Sequence, residues 1–191
     1  MNIKIYTDGS CLGNPGAGGY AAIIIYEDGR REEFTGGENL TTNNRMELMA
    51  AIVALRKISA QDNVELFTDS SYLKNAFTQN WLDNWKQHGW KASKKHAVKN
   101  QDLWKELDEL ISNLNVNFNW VKGHAGNSLN ERCDKLARTT AESFRYQRQP
   151  ARNENFKSET PKLNTPAENF NEPNDGKVRK WSGNQLLLFY D

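Results

Sequence analysis

The order of elements in the first seventy residues constrains this chain most. Ile3, Ile5 and Thr7 alternate with Lys4, Tyr6 and Asp8, the period-two pattern of a strand whose faces differ. The segment Gly9–Gly16 reads as a turn-forming loop. An apolar run from Tyr20 to Tyr26 meets the turn signal Asp28-Gly29, and a polar third strand follows through Phe34, so the sheet starts antiparallel. Residues 44–58 then carry Leu48, Met49, Ile52, Val53 and Leu55 at helical spacing. Asn44 reads as the N-cap, with Glu47 as its N3 partner. Val64 to Thr68 is a second core strand closed by Asp69. A strand, a helix and a strand in one sheet call for a crossover into a parallel neighbour. The ends of the Asp8 and Asp69 strands then lie side by side, at the carboxyl edge where open α/β sheets bind ligands.

Further helices are predicted at 71–78, 81–87 and 101–112, with a strand from Asn117 to Val121. A last helix runs from about Leu129 to Phe144. Its apolar stripe is Leu129, Cys133, Leu136, Thr140 and Phe144, which puts Asp134 beside the stripe, on the side of Asn130, Ala137 and Ala141.

Composition divides the chain near residue 145. Over residues 1–144, 17 Lys and Arg face 18 Asp and Glu, and over residues 145–191, 8 face 6. Neither part is broadly basic, so a nucleic-acid role has to rest on local clustering rather than net charge. Cys11 and Cys133 have no zinc-like or disulfide-framework spacing and read as free thiols of a reducing compartment. Nothing near Met1 has the order of a secretion signal, and no apolar run reaches the ~20 residues of a membrane span. A soluble cytoplasmic protein is expected.

Four acids stand out by their settings: Asp8 in Thr7-Asp8-Gly9-Ser10, Glu47 in Asn44-Arg45-Met46-Glu47, Asp69 in Thr68-Asp69-Ser70, and Asp134 in Glu131-Arg132-Cys133-Asp134. Singly, each has an ordinary reading: a turn residue, a capping-box partner, a helix N-cap and a solvated helix charge. Jointly, two strand ends and two helices bring acid to one edge. Carboxylates gathered there must protonate or recruit cations, which suits metal-dependent phosphodiester chemistry.

Those segments, with Cys11-Leu12-Gly13-Asn14-Pro15-Gly16, Thr42-Asn43-Asn44-Arg45 and Trp120-Val121-Lys122-Gly123-His124-Ala125-Gly126, resemble bacterial ribonuclease H of type 1 over about residues 1–144. The resemblance implies an α/β ribonuclease H-like fold: a five-stranded mixed sheet with helices on both faces. It implies an endoribonuclease that cuts the RNA strand of RNA–DNA hybrids, acts as a monomer, and leaves 5′-phosphate and 3′-hydroxyl ends. Residues matching Asp8, Glu47, Asp69 and Asp134 hold two Mg²⁺ ions in that family, with Mn²⁺ as a substitute, and His124 is a mobile proton carrier. Gly9, Cys11, Asn14, Asn43 and Asn44 match residues at the minor groove, where 2′-hydroxyls are displayed, and Ser70 is a further candidate substrate contact. Thr42 and Asn100 match a pocket for a DNA phosphate. Ser71 departs from the bacterial pattern, which has a longer amide there. Two rivals compete with this reading: a hybrid-binding module without catalysis, against which the presence of all four acids speaks, and a relative of the same fold that cuts DNA, against which the motifs matching 2′-hydroxyl readers speak.

Between Asp83 and Asp102 there is no acid, while Lys86, Lys91, Lys94, Lys95 and Lys99 join His88 and His96, with Trp81, Trp85 and Trp90 interleaved. Such a run is commonly a solvated face, but lysines beside aromatic rings also hold phosphates and pack on sugars. It resembles the basic protrusion with which bacterial members grip the DNA strand, and Trp81, Trp85 and Lys86 are its candidate contacts. Trp104 is expected in the core. Residues 145–184 are too polar to offset their ordering entropy and read as a disordered linker. The closing segment 185–191 is apolar, and Gln185, Leu186, Leu188 and Phe189 resemble the peptide with which replication and repair proteins bind the polymerase sliding clamp. Random-coil scaling gives such a linker a reach of roughly 35 Å. A role in removing primers and R-loops at replication forks follows from that resemblance.

Overall fold

β1 (Asn2–Leu12) sends Ile3 and Ile5 into one core and Tyr6 into another, so the sheet is covered on both faces. The structure, a computed structural model, describes residues 1–93, 96–123 and 125–147. β1 pairs antiparallel with β2 (Gly16–Ile25), and β2 with β3 (Arg31–Thr41). The strand does not stop at Asp8: Gly9 lies opposite Tyr20 and Leu12 opposite Ala17, which leaves only residues 13–15 as a loop. Ladder pairing overrides the turn preference of Gly9 and Ser10. β3 likewise runs beyond Phe34 to Thr41.

α1 (Asn43–Leu55) follows at once, and its N-cap is Thr42, in extended conformation, without a side-chain cap bond. Asn44 is therefore inside the first turn, and Glu47 is a buried helix residue rather than a capping-box partner. β4 (Asn63–Thr68) returns parallel to β1, pairing Ile5 with Leu66 and Thr7 with Thr68, the crossover expected from the sequence. α2 (Ser71–Thr78) and α3 (Trp81–Gln87) come next. A short antiparallel pair, β5 (Lys91–Ser93) and β6 (His96–Ala97), was not predicted. α4 (Gln101–Asn113), β7 (Asn115–Trp120) and α5 (Ser128–Gln147) complete the order. The main sheet reads β3-β2-β1-β4-β7, with β7 parallel to β4.

Ile3, Ile5, Ile24, Leu48, Ile52, Leu66 and Trp104 form the larger core, between the sheet and the helices α1 to α4. Each such burial contributes about 1.5–3 kcal/mol. On the opposite face Tyr6, Ala21 and Ile23 meet Cys133 and Ala137 of α5. The buried stripe of α5 is Asn130, Cys133, Ala137 and Ala141, whereas Leu129, Leu136, Thr140 and Phe144 are half-buried. It is displaced from the expected stripe because small side chains let the helix approach the strands. No described helix is long and apolar enough to cross a membrane. The linker and terminal peptide expected beyond residue 147 lie outside the described residues, and α5 itself continues three residues past 144.

Candidate active site

The register of β1 against β4 decides the site. Thr7 lies opposite Thr68, so Asp8, within β1, and Asp69, just past the end of β4, sit side by side at the same level. α1 brings Glu47 down onto that edge, and Gly9 makes the approach possible. A Cβ on Gly9 would lie 2.3 Å from the backbone nitrogen of Glu47, closer than any side chain permits. Among the described residues, Asp8, Glu47 and Asp69 each offer an oxygen, all within 4.8 Å of one another.

Asp8 and Glu47 are each 5% exposed, and Asp69 is half-buried. Burial, reinforced by the charges of Asp69 and Asp134, pushes the Asp8 carboxyl up to about 8. Burial and the charges of Asp8 and Asp69 raise Glu47 well above the usual carboxylate range. Few bonds oppose this: the Gly9 N–H donates to Asp8 Oδ1 at 2.7 Å, and Asn43 Nδ2 donates to Glu47 Oε1 at 3.3 Å. Glu47 Oε2 is buried with no hydrogen-bonding partner in the protein. An orphaned carboxylate oxygen beside two further acids is a donor set suited to a hard divalent cation. Asp134, half-buried on α5, is near enough for its charge to act on Asp8, yet the trio above does not include it.

The other expected residues fall into two groups. Near the acids, Asn14 Oδ1 accepts the Asn43 N–H at 3.0 Å, tying the β1–β2 turn to the start of α1. The Cys11 thiol points at the carbonyls of Thr41 and Gly16, 3.4 and 3.7 Å away, and Asn44 is exposed. Ser70, not Asp69, caps α2, its hydroxyl accepting the Leu73 N–H at 3.3 Å. That frees Asp69 for the cluster. The second group surrounds α3. Trp81 and Trp85 are half-buried against the larger core, their rings 5.9 Å apart, and Trp85 lies 5.5 Å from the fully buried Trp104. Lys86 pairs with Asp108 at 2.9 Å. Asn100, left-handed at φ 58°, begins α4. Lys91 and Lys99 are exposed, and His124, Lys94 and Lys95 lie outside the described residues.

Sequence reasoning missed three residues that touch Asp69. Asn130 Nδ2 donates to its Oδ2 at 3.1 Å, Trp120 Nε1 donates to its carbonyl at 3.2 Å, and Gly123 leaves room for its carboxylate. The available signal was the spacing of Asn130 to Asp134, one helical turn on α5. Arg45 was missed as well: it forms a two-pronged pair with Asp102 at 3.0 and 2.9 Å, joining the start of α1 to that of α4.

A mixed α/β sheet that gathers carboxylates at its carboxyl edge is the frame of a metal-dependent phosphodiester hydrolase. The family model for RNase H matches residues 1–142. The ribonuclease H of Aeromonas salmonicida is 55% identical over 140 residues, 73% of this chain and 90% of that protein. That of an Enterobacter species is 55% identical over 139 residues, 73% of this chain and 88% of its own. A solved type 1 RNase H with the type 2 active-site motif superposes with a TM-score of 0.65 at 35% identity, covering 74% of this chain and 72% of that one. Another RNase H1, solved in complex with RNA/DNA hybrid, has a TM-score of 0.55 at 22% identity, covers 74% of this chain and 97% of its own, and bears on the fold alone. The chain belongs to the ribonuclease H family. Members hydrolyse the RNA of RNA–DNA hybrids and depend on divalent metal, and the carboxylate cluster has the chemistry for it.

Proposed function

We propose that this enzyme cuts the RNA strand of hybrids at the edge formed by Asp8, Glu47, Asp69 and Asp134, with two Mg²⁺ ions held by those acids. The observation that carries the reading is the trio of carboxylates within 4.8 Å in a chain of this family. When bound, the metal supplies an activated water and a counter-charge for the leaving 3′ oxygen. The protein's own part is to hold the acids in place before substrate arrives. The Gly9 N–H orients Asp8, and Asn43 orients Glu47 while its backbone is tied to Asn14. Asn14, Asn43, Asn44, Gly9, Cys11 and Ser70 are assigned to the minor groove, and Thr42, Asn100, Trp81, Trp85 and Lys86 to the DNA strand. His124 is assigned the transfer of a proton and the release of product.

The test offers matched RNA–DNA, RNA–RNA and DNA–DNA duplexes with Mg²⁺ or Mn²⁺ to the wild type and to Asp69→Asn. Cutting of the hybrid alone, lost in the variant, is the expected result. Cleavage of DNA–DNA would replace this reading with that of a DNA-cutting relative, and no cleavage with that of a binding module.

For the chain beyond the family match, Gln185, Leu186, Leu188 and Phe189 are proposed to bind a polymerase sliding clamp, with the preceding segment as tether. Support comes from the peptide's composition and its place in the sequence. A monomer in the cytoplasm, clearing primers and R-loops at forks, is the corresponding biological setting.

A further inference from the structure

The three clustered acids are not held alike. Asp8 is fixed by the amide next to it and Glu47 by a side chain one turn earlier on its own helix. Asp69 is fixed from a distance of 61 residues, by Asn130 on α5. Asn130 is 2% exposed, and its backbone N–H is taken by Asn127 Oδ1 at 3.2 Å, which fixes the first turn of the helix. Its side chain is left for Asp69. A carboxylate carries only acceptors, so the amide must present nitrogen to Oδ2.

The same Oδ2 is bounded on another side by Gly123, where a Cβ would lie 2.7 Å from it. The Asp69 carbonyl is held in turn by the Trp120 indole N–H. Backbone and side chain of Asp69 are thus both constrained by the segment from β7 into α5. Asn130 and Asp134 are four residues apart on that helix, so docking of α5 sets two acids at once, Asp134 directly and Asp69 through Asn130.

We infer that Asn130 is a positioning residue: its amide, with the absent side chain of Gly123, holds the Asp69 carboxylate in the arrangement that takes a divalent cation. The inference rests on the proposed metal site and adds the partner that orients one of its ligands. Partners of this kind commonly change metal affinity or activity about 10- to 100-fold when removed.

The experiment is calorimetric titration of Mg²⁺ into the full chain without substrate, for wild type, Asn130→Ala and Gly123→Ala, with a thermal melt of each. The expected result is binding weakened about 10-fold in both variants, with a cooperative melt retained. In hybrid cleavage, the requirement for Mg²⁺ should rise while KM for hybrid is unchanged. If Asn130→Ala does not melt cooperatively, Gly123→Ala, which leaves α5 untouched, decides by the same criterion. Variants that bind Mg²⁺ like the wild type overturn the inference and leave the metal site standing. A wild type that binds no Mg²⁺ overturns both.

Discussion

Asp8 and Glu47 are placed where a charge is costly, and that cost is the residue-scale signature of the site. Burial and neighbouring acids lift the Asp8 carboxyl to about 8, and Glu47 rises for the same reasons. A folded-state pKa above the unfolded value means that the folded protein keeps a proton the unfolded chain releases. Stability from this source is full below the ordinary carboxylate range and is lost as pH rises through about 8. In chelator, the protein should melt at a lower temperature at pH 9 than at pH 5.5, and saturating Mg²⁺ should narrow the gap. Equal melting temperatures in chelator would contradict the buried cluster. At pH 9, where Asp8 is ionised in the folded protein, Asp8→Asn removes one of the repelling charges, so the metal-free protein should gain roughly 1 kcal/mol, a rise of about 2–4 °C. The same variant should lose about 10³-fold or more in hybrid cleavage, several kcal/mol of metal-derived stabilisation. For His124→Ala, turnover should slow by about 10²-fold or more while Mg²⁺ affinity measured by calorimetry is unchanged; a wild-type rate removes the residue from the mechanism.

At the scale of elements, the sequence read periodicity well and contact poorly. β4, α2, α3 and the parallel crossover were legible because apolar spacing and chain direction suffice for them. The lengths of β1 and β3 were not, because Gly9 to Leu12 and Thr35 to Thr41 are strand only through pairing with β2. The N-cap of α1 slipped from Asn44 to Thr42 for a similar reason, since β3 feeds the helix directly. On α5 the bulkiest residues suggested the buried stripe, but the helix packs through Ala137 and Ala141. Ala137→Leu should therefore overpack the smaller core and cost about 1–3 kcal/mol in chemical denaturation. It should also lower activity, because the helix that shifts carries Asn130 and Asp134. A variant as stable and active as the wild type would refute this account of α5 docking.

The whole chain joins a domain matched by its family over residues 1–142 to a segment that this match does not reach. If the terminal peptide is an address, a weak contact suffices, since tethering raises the local concentration of enzyme at the clamp. Gln185→Ala combined with Phe189→Ala should abolish clamp binding in a surface-immobilised assay and leave cleavage of a short free hybrid intact. Retained clamp binding would sink the assignment. The sequence by itself determined the order of the elements other than the β5–β6 pair and the direction of the β1–β4 pairing, and it singled out four acids by their settings, because these follow from local spacing and from distinctive motifs. Only the tertiary structure decided which acids meet within 4.8 Å and that Ser70 rather than Asp69 caps α2. The hold of Asn130 on Asp69 across 61 residues also appears only there. Such contacts depend on how closely helices approach the sheet, a distance fixed by packing of small residues far apart in the chain, to which local periodicity is blind.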